Sequence, residues 1–507
     1  MPASQPIIGS VPLPPELAWG PLPAAEWNRE AAQHLLRRAG WTARRGDVER
    51  AVREGLPATL ERLFPPEPTL LPKPDLTAAV EREWPEFQAR QALATPEERR
   101  LIQKELRESS QTALQDLSLR WLEYAKRPEN SAFAKWALFL SNVYAVGFEK
   151  VPRTPLLYEH FDTIARFALG PAPQLTKAVS RSPAMIVYLD LNENRVGAPN
   201  ENFARELFEL FLLGEGNYAE TDIKQAARAF TGYRLRPPGA QFAFAPRQHD
   251  PGVKTIFGQS GRFSGDDVID MAYGLPAAGA HLPRRMAKFY LSDETLPAEH
   301  LQALGDGWRE AGFPLRRLAL TFFGSRMFFA PEFRGEFIKS PVQFYLGLVQ
   351  DLSLDVAPVP RYVLAPLRQM GQVLFNPPNV RGWVGGRNWI NSASLAARRT
   401  MVEIVFAPIR EENLNAEETR ALDAARAGGL GAFAVPDGRL LPLVALEPAG
   451  AARRLAGDFL AVARPPEYYN PIESYLAGAR AAAEAERLRR VRRAAISVLQ
   501  SAEYQLC

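Results

Sequence analysis

The sequence predicts a mainly α fold: a multi-helix globular protein with a small β-hairpin excursion and a long ordered loop rich in Gly, Pro and Trp. Three observations carry this. Apolar residues recur at helical spacing in most segments after Trp27, and strict alternation is confined to residues 241–257. With 507 residues of which 46% are hydrophobic, the chain can bury a large core.

Taken in order, residues 1–25 are proline-rich and read as an N-terminal arm, with one helical domain over 26–507. From Glu26 to Phe64, apolar residues at Ala31, Leu35 and Leu36, then Val48, Ala51 and Val52, then Leu60, Leu63 and Phe64 predict three short helices, stopped at Gly40 and Gly55. "PPEPTLLPKP" makes a stiff linker at about 65–75, because each proline fixes φ and removes a donor. Helical spacing then dominates to Gly170, and "TPEERR" from Thr95 supplies a capping threonine, an early proline and early glutamates.

The stretch "PNENFARELFELFLLGEGNYAETDIKQAARAFTGY" reads as a helical hairpin. Its first helix places Glu201, Asn202, Arg205, Glu206 and Glu209 on one arc and Phe203, Leu207, Phe208, Leu210 and Phe211 on the other, ending at Gly214. Its second helix is expected to start with Thr221 as N-cap and to stop at Gly232. "GAQFAFAP" and "HDPGVKTIFG", with a turn at Asp250-Pro251-Gly252, form the β excursion. Helices resume with Ser264 as a cap and continue through "LPRRMAKFYL" and "LRRLALTFFGSRMFF". Residues 371–391 are the long loop, about 410–470 read as a variable insertion or mobile lid, and an arginine-rich helix closes the chain.

Composition excludes several classes. The net charge of +4, from 61 basic and 57 acidic residues, is too even to imply a nucleic-acid surface. The acidic wet face of the hairpin's first helix and its long connection also argue against a DNA reader, and Arg487, Arg489, Arg490, Arg492 and Arg493 read as a solvated helix face. Cys507 is the one cysteine, so an intramolecular disulfide is impossible. No apolar run approaches the roughly 20 residues that span a bilayer, and the N-terminus lacks the pattern of a secretory signal. The expected location is the cytoplasm, with no membrane span. Cys-x-x-Cys, His-Glu-x-x-His and Gly-x-Ser-x-Gly patterns are absent, and the sequence names neither a metal nor a cofactor.

The hairpin stretch resembles the signature of the bacterial family called domain of unknown function 1800. "AAQHLLRRAGW", "RSPAMIVYLDLNENRVGAPNENFAREL", "FGQSGRFSGDDVID", "IKSPVQF", "MGQVLFNPPNVRGWVGGRNWIN" and "SAEYQL" occur in that family's order, over roughly residues 27–506. The resemblance implies no activity. It suggests a partner from a second uncharacterised family, number 1501, which is similar to alkaline phosphatases and sulfatases. Many relatives carry an export signal and a Trp-His-Asn-His-Phe run. Here that run reads "LSNVY", so Ser141 and Val143 flank Asn142 where two histidines would stand. Any metal or proton chemistry of those histidines is then lost. A threonine that often opens the hairpin's second helix is Ala219 here.

Three groups are candidate sites. Glu201, Arg205 and Glu209 at i, i+4 and i+8 make either a solvated ion-pair ladder or, with Asn200, Asn202 and Glu206, a carboxylate site. His249 is either a general base or a packed loop histidine, with Asp250 accounted for by its turn. Trp383 and Trp389, beside Arg387 and Asn391, are either a binding platform or anchors of the loop. The function expected is that of a helical binding or accessory protein acting with a partner, with the missing histidine pair as the main reason. The alternative is a hydrolase-like enzyme whose cleft joins the 200–209 helix, His249 and the 379–391 loop, with Glu206, His249 and Arg205 as catalytic candidates.

Overall fold

The computed structural model describes residues 13–237 and 239–507. Residues 1–12 of the proline-rich arm lie outside the described residues. The rest of the arm holds a short helix, Pro15–Ala18, and leads into a 3-10 turn, Ala24–Glu26. The Trp19 indole donates to His300 O (2.7 Å) and His300 Nε2 donates to Leu13 O (2.8 Å), which straps this segment to helix Ala298–Glu310.

The architecture is helix on helix. Asn28 caps helix Arg29–Ala39 by accepting from Ala31 N at 3.0 Å, and Gly40 ends it. Segment Arg45–Leu63 breaks at Gly55, whose φ of 79° suits a residue without Cβ, giving the third short helix. The 64–74 stretch has no helix, and helices Asp75–Leu93 and Pro96–Ala125 then pair as a hairpin. At their turn Thr95 and Glu98 form a reciprocal capping box. Val80, Phe87, Ile102, Leu106 and Ala113 give this hairpin a small core of its own.

The main core is continuous from Ala18 to Tyr504. Helices Pro128–Val143 and Pro341–Asp351 are buried on nearly every side, as their mostly apolar sequences require. Aromatic rings centre it: Phe64 stacks on Phe323 (5.3 Å between centroids), Tyr290 meets Phe323 edge-on (4.9 Å), and Phe139 packs on Phe289 (5.2 Å). Burying each such ring contributes about 1.5–3 kcal/mol. Among the described residues no helix is long and apolar enough to cross a membrane.

The charged helix departs from a regular α-helix. It runs as α over Asn202–Glu206 and as π over Leu207–Leu212. Both Leu213 N (2.9 Å) and Gly214 N (3.0 Å) donate to Phe208 O, so the carbonyl of Leu210 is left free for side chains. The next helix is Glu220–Ala229, and Ala219, not Thr221, holds the N-cap position. Alanine has no side-chain acceptor, and the start is fixed instead by Ala219 N donating to the Asp222 carboxylate at 2.9 Å.

Two hairpins replace the single expected one. "QFAF" does form a strand, Gln241–Phe244, but it pairs antiparallel with Tyr233–Arg236. Lys254–Ile256 pairs with Gln259–Gly261 across Phe257 and Gly258, whose φ of 49° and 77° suit a tight two-residue turn. Asp250-Pro251-Gly252 is a turn between the hairpins. Residues 416–459, within the segment read as an insertion, contain helices Ala416–Ala427, Asp437–Val444 and Pro448–Phe459, which bury Leu422, Leu440 and Leu455.

Candidate ligand-binding cleft

The sequence candidates separate into three places. Arg205 donates to both oxygens of Glu220 (2.8 Å each) and to Glu201 (3.1 Å), a largely solvated network. Asn200 Oδ1 accepts from Asn202 N (2.9 Å), and the Asn202 amide donates to Asp190 (3.1 Å). Glu206 is half-buried, and burial followed by the nearby Glu209 charge raises its pKa.

His249 lies apart, beside the first hairpin. Its Nδ1 donates to Thr231 O (2.9 Å) and its ring packs on Phe244 (5.3 Å). Arg228 grips the Asp250 carboxylate through Nε (2.7 Å) and Nη2 (3.1 Å), Gly252 N donates to it at 2.8 Å, and its pKa is lowered, chiefly by the Arg228 hydrogen bonds.

The third place is a cleft of about 480 Å³, and of the candidates it takes in Glu209, Trp383 and Trp389. It lies between the π-helical segment, helix Pro276–Tyr290 and the 379–391 loop, with Lys135, Phe139 and Gln343 among its lining. Neither Arg205, Glu206, His249, Asn200, Asn202, Arg387 nor Asn391 lines it. Arg387 instead uses its backbone N–H on Asp293 (2.8 Å), and Asn391 caps helix Ser392–Phe406.

Glycines set the loop wall. Gly382 (φ 81°) lies so close to Asn142 that a Cβ would overlap its side chain, and Gly386 (φ 64°) stands in the same relation to the Asp293 carboxylate. Asn142 Oδ1 accepts from Trp383 N at 2.6 Å, which fixes the indole on the cleft wall. Asn142 is thus the member of the Leu140–Tyr144 run that reaches the cleft. Val143 is buried in the core, and Ser141 Oγ donates to Ala137 O (2.8 Å) away from it. Arg381 closes the rim by pairing with Glu209 (2.7 Å) and Glu215 (3.5 Å).

The opposite wall was missed in the sequence, although its signal was there. His281, Arg284, Arg285 and Lys288 stand at i, i+3, i+4 and i+7, so one face of helix Pro276–Tyr290 turns them all to the cleft. The carbonyl freed by the π-turn orients two of them. Leu210 O accepts from His281 Nε2 (2.8 Å) and from Arg285 Nη1 (2.9 Å). Burial holds His281 at about 4, so the ring is neutral at pH 7 with its proton on Nε2 and a lone pair on Nδ1. That Nδ1 faces Gly214, where a Cβ would stand 3.0 Å away, and has no hydrogen-bond partner among the described residues. The Trp383 indole N–H, also buried, has none either. Burial brings Arg285 down to about 10 and Lys135, which donates to Arg38 O (2.8 Å) and Gly40 O (2.9 Å), to about 7.

Among the described residues no group of three or more His, Cys, Asp or Glu side chains is placed to hold a metal ion. The arrangement offers donors and apolar surface: Phe139, Phe289, Leu296, Trp383 and Trp389 beside a row of cations.

The family model described as "Protein of unknown function (DUF1800)" matches residues 34–506. No curated protein and no solved structure matches the chain.

Proposed function

The chain belongs to the DUF1800 family, and with no activity to inherit from that description we propose its function from the cleft: it is a binding protein that takes a small organic molecule between helix Pro276–Tyr290 and the 379–391 loop. The observation that carries this is the cleft itself, where Phe289, Trp383 and Trp389 stand beside the Arg285 guanidinium, whose hydrogen bonds go only to backbone carbonyls. The cavity of about 480 Å³ suits a drug-sized molecule, for which sites run about 300–1,000 Å³. Segments 241 residues apart in sequence meet there, since Asn142 ties down the loop that carries Trp383. The enzymatic alternative required Glu206 and His249 in the same cleft, and both lie outside it.

A thermal-shift screen of small organic molecules tests this reading, run on the native protein and on Val384→Arg. Val384 lines the cleft and is 56% exposed, so arginine there obstructs the site without disturbing the core. Ligands are expected to raise the native melting temperature by about 1 °C or more at saturating concentration and to lose that effect in the variant. Ligands that stabilise both proteins equally would place binding elsewhere.

A further inference from the structure

The cleft is electrically lopsided. Three carboxylates line it, Glu209, Glu215 and Glu294, and the first two are engaged by Arg381 at the rim. Along the wall stand the exposed Arg284 and the more buried Arg285 and Lys288 on one helix face, together with the buried Lys135. Arg285 is largely buried, yet its two donated hydrogen bonds go to the backbone carbonyls of Leu210 (2.9 Å) and Asn142 (2.9 Å), and it forms no ion pair among the described residues. Arg284 has neither a hydrogen bond nor an ion pair among them. A guanidinium taken out of water without a counter-ion is unfavourable, and an anion arriving beside it relieves the penalty. Other buried guanidiniums, those of Arg37, Arg38 and Arg398, also donate to carbonyls, but they do not line this cavity. Arg285 is the buried one that a ligand can reach.

We infer that the ligand is a small organic acid: a carboxylate held by Arg284 and Arg285, on an apolar or ring-shaped body that packs against Phe289, Trp383 and Trp389. This rests on the binding reading above and names the class of molecule bound. A planar carboxylate matches the donor fork of arginine, and ring bodies suit the aromatic wall. One negative charge fits better than two, because Glu294 and the rim carboxylates repel a dianion. The body is limited to about two fused rings by a cavity of about 480 Å³.

Calorimetric titration of the full chain with 1-naphthoate, its neutral isostere 1-naphthamide and the dianionic 1-naphthyl phosphate tests the class. The acid is expected to bind at least about tenfold more tightly than the amide, the size of one charge-assisted contact. Arg284→Gln, an exposed substitution that spares the fold, is expected to bring the acid to within about threefold of the amide. Equal binding of acid and amide, both blocked by Val384→Arg, would overturn the acid class while leaving the cleft as the binding site. A phosphate about tenfold tighter than the carboxylate would overturn the monoanion. Failure of all three probes together with an empty thermal-shift screen would overturn the binding reading itself.

Discussion

The turn around His249 and the cleft under Trp383 are both ordered, irregular and rich in polar groups, yet they differ in whether those groups have partners. At the turn, Arg228, Thr231, Gly252 and Lys254 answer His249 Nδ1 and the polar atoms of Asp250. In the cleft, the Trp383 indole N–H and His281 Nδ1 have no partner among the described residues, and Arg285 has only carbonyls. A saturated network positions the chain, whereas an unsaturated one is poised for something that arrives from outside.

The largest effect should come from breaking the cleft wall. Gly386→Ala adds a Cβ at a φ of 64°, against the Asp293 carboxylate. The expected loss is about 2–4 kcal/mol in chemical denaturation, from the left-handed backbone and the forced movement of the loop. Ligand affinity should fall with it. Unchanged stability would show that the loop does not lean on Asp293.

The matching change at the turn should cost stability alone. Asp250→Asn weakens a fork on Arg228 and leaves the cleft untouched. Denaturation should show a loss of about 1–2 kcal/mol, with cleft-ligand affinity unchanged. Reduced affinity would join the two regions into one site and end the comparison.

A pH-dependent effect distinguishes the cleft floor. Burial lowers Lys135 and Lys339 from 10.5 to about 7 in the folded chain. Between pH 7 and 10.5 the unfolded chain therefore binds more protons than the folded one, so stability should rise with pH across that window and fall as pH drops toward 7. Lys135→Met should reduce this rise without abolishing it, because Lys339 remains. A melting temperature whose pH slope is the same in both proteins would contradict the burial of that cation.

The smallest effect belongs to the charged arc. Arg205→Gln removes exposed pairs with Glu201 and Glu220 and should change stability by no more than about 0.5 kcal/mol. It should leave ligand affinity alone, since Arg205 does not line the cleft.

The helical fold was legible because its signals are local. Periodicity and caps at Thr95 and Ser264 need only neighbours in sequence, and the structure keeps both of them. Strand pairing was less so: the alternation of "QFAF" is visible, but nothing local says that "YRLR" is its partner. The tryptophan loop was legible as an ordered loop, from its glycines and prolines. Its counterpart was not. His281 and Arg285 became site residues through the free carbonyl of Leu210, and that carbonyl exists because the charged helix slips into a π-turn. The four-residue face was readable at helical spacing, yet only tertiary placement distinguishes such a face from a solvated one. Glu206 and His249 drew attention by residue type, and packing put them elsewhere.

The most direct test of the central claim is the indole N–H spectrum of the 15N-labelled protein, titrated with 1-naphthoate and assigned through Trp383→Phe. The account predicts that the Trp383 resonance shifts strongly as the naphthalene ring packs against its indole, with Trp389 following and the core indoles of Trp41 and Trp121 unmoved. A bound acid that leaves the Trp383 resonance in place, or that shifts only indoles remote from the cleft, would contradict it.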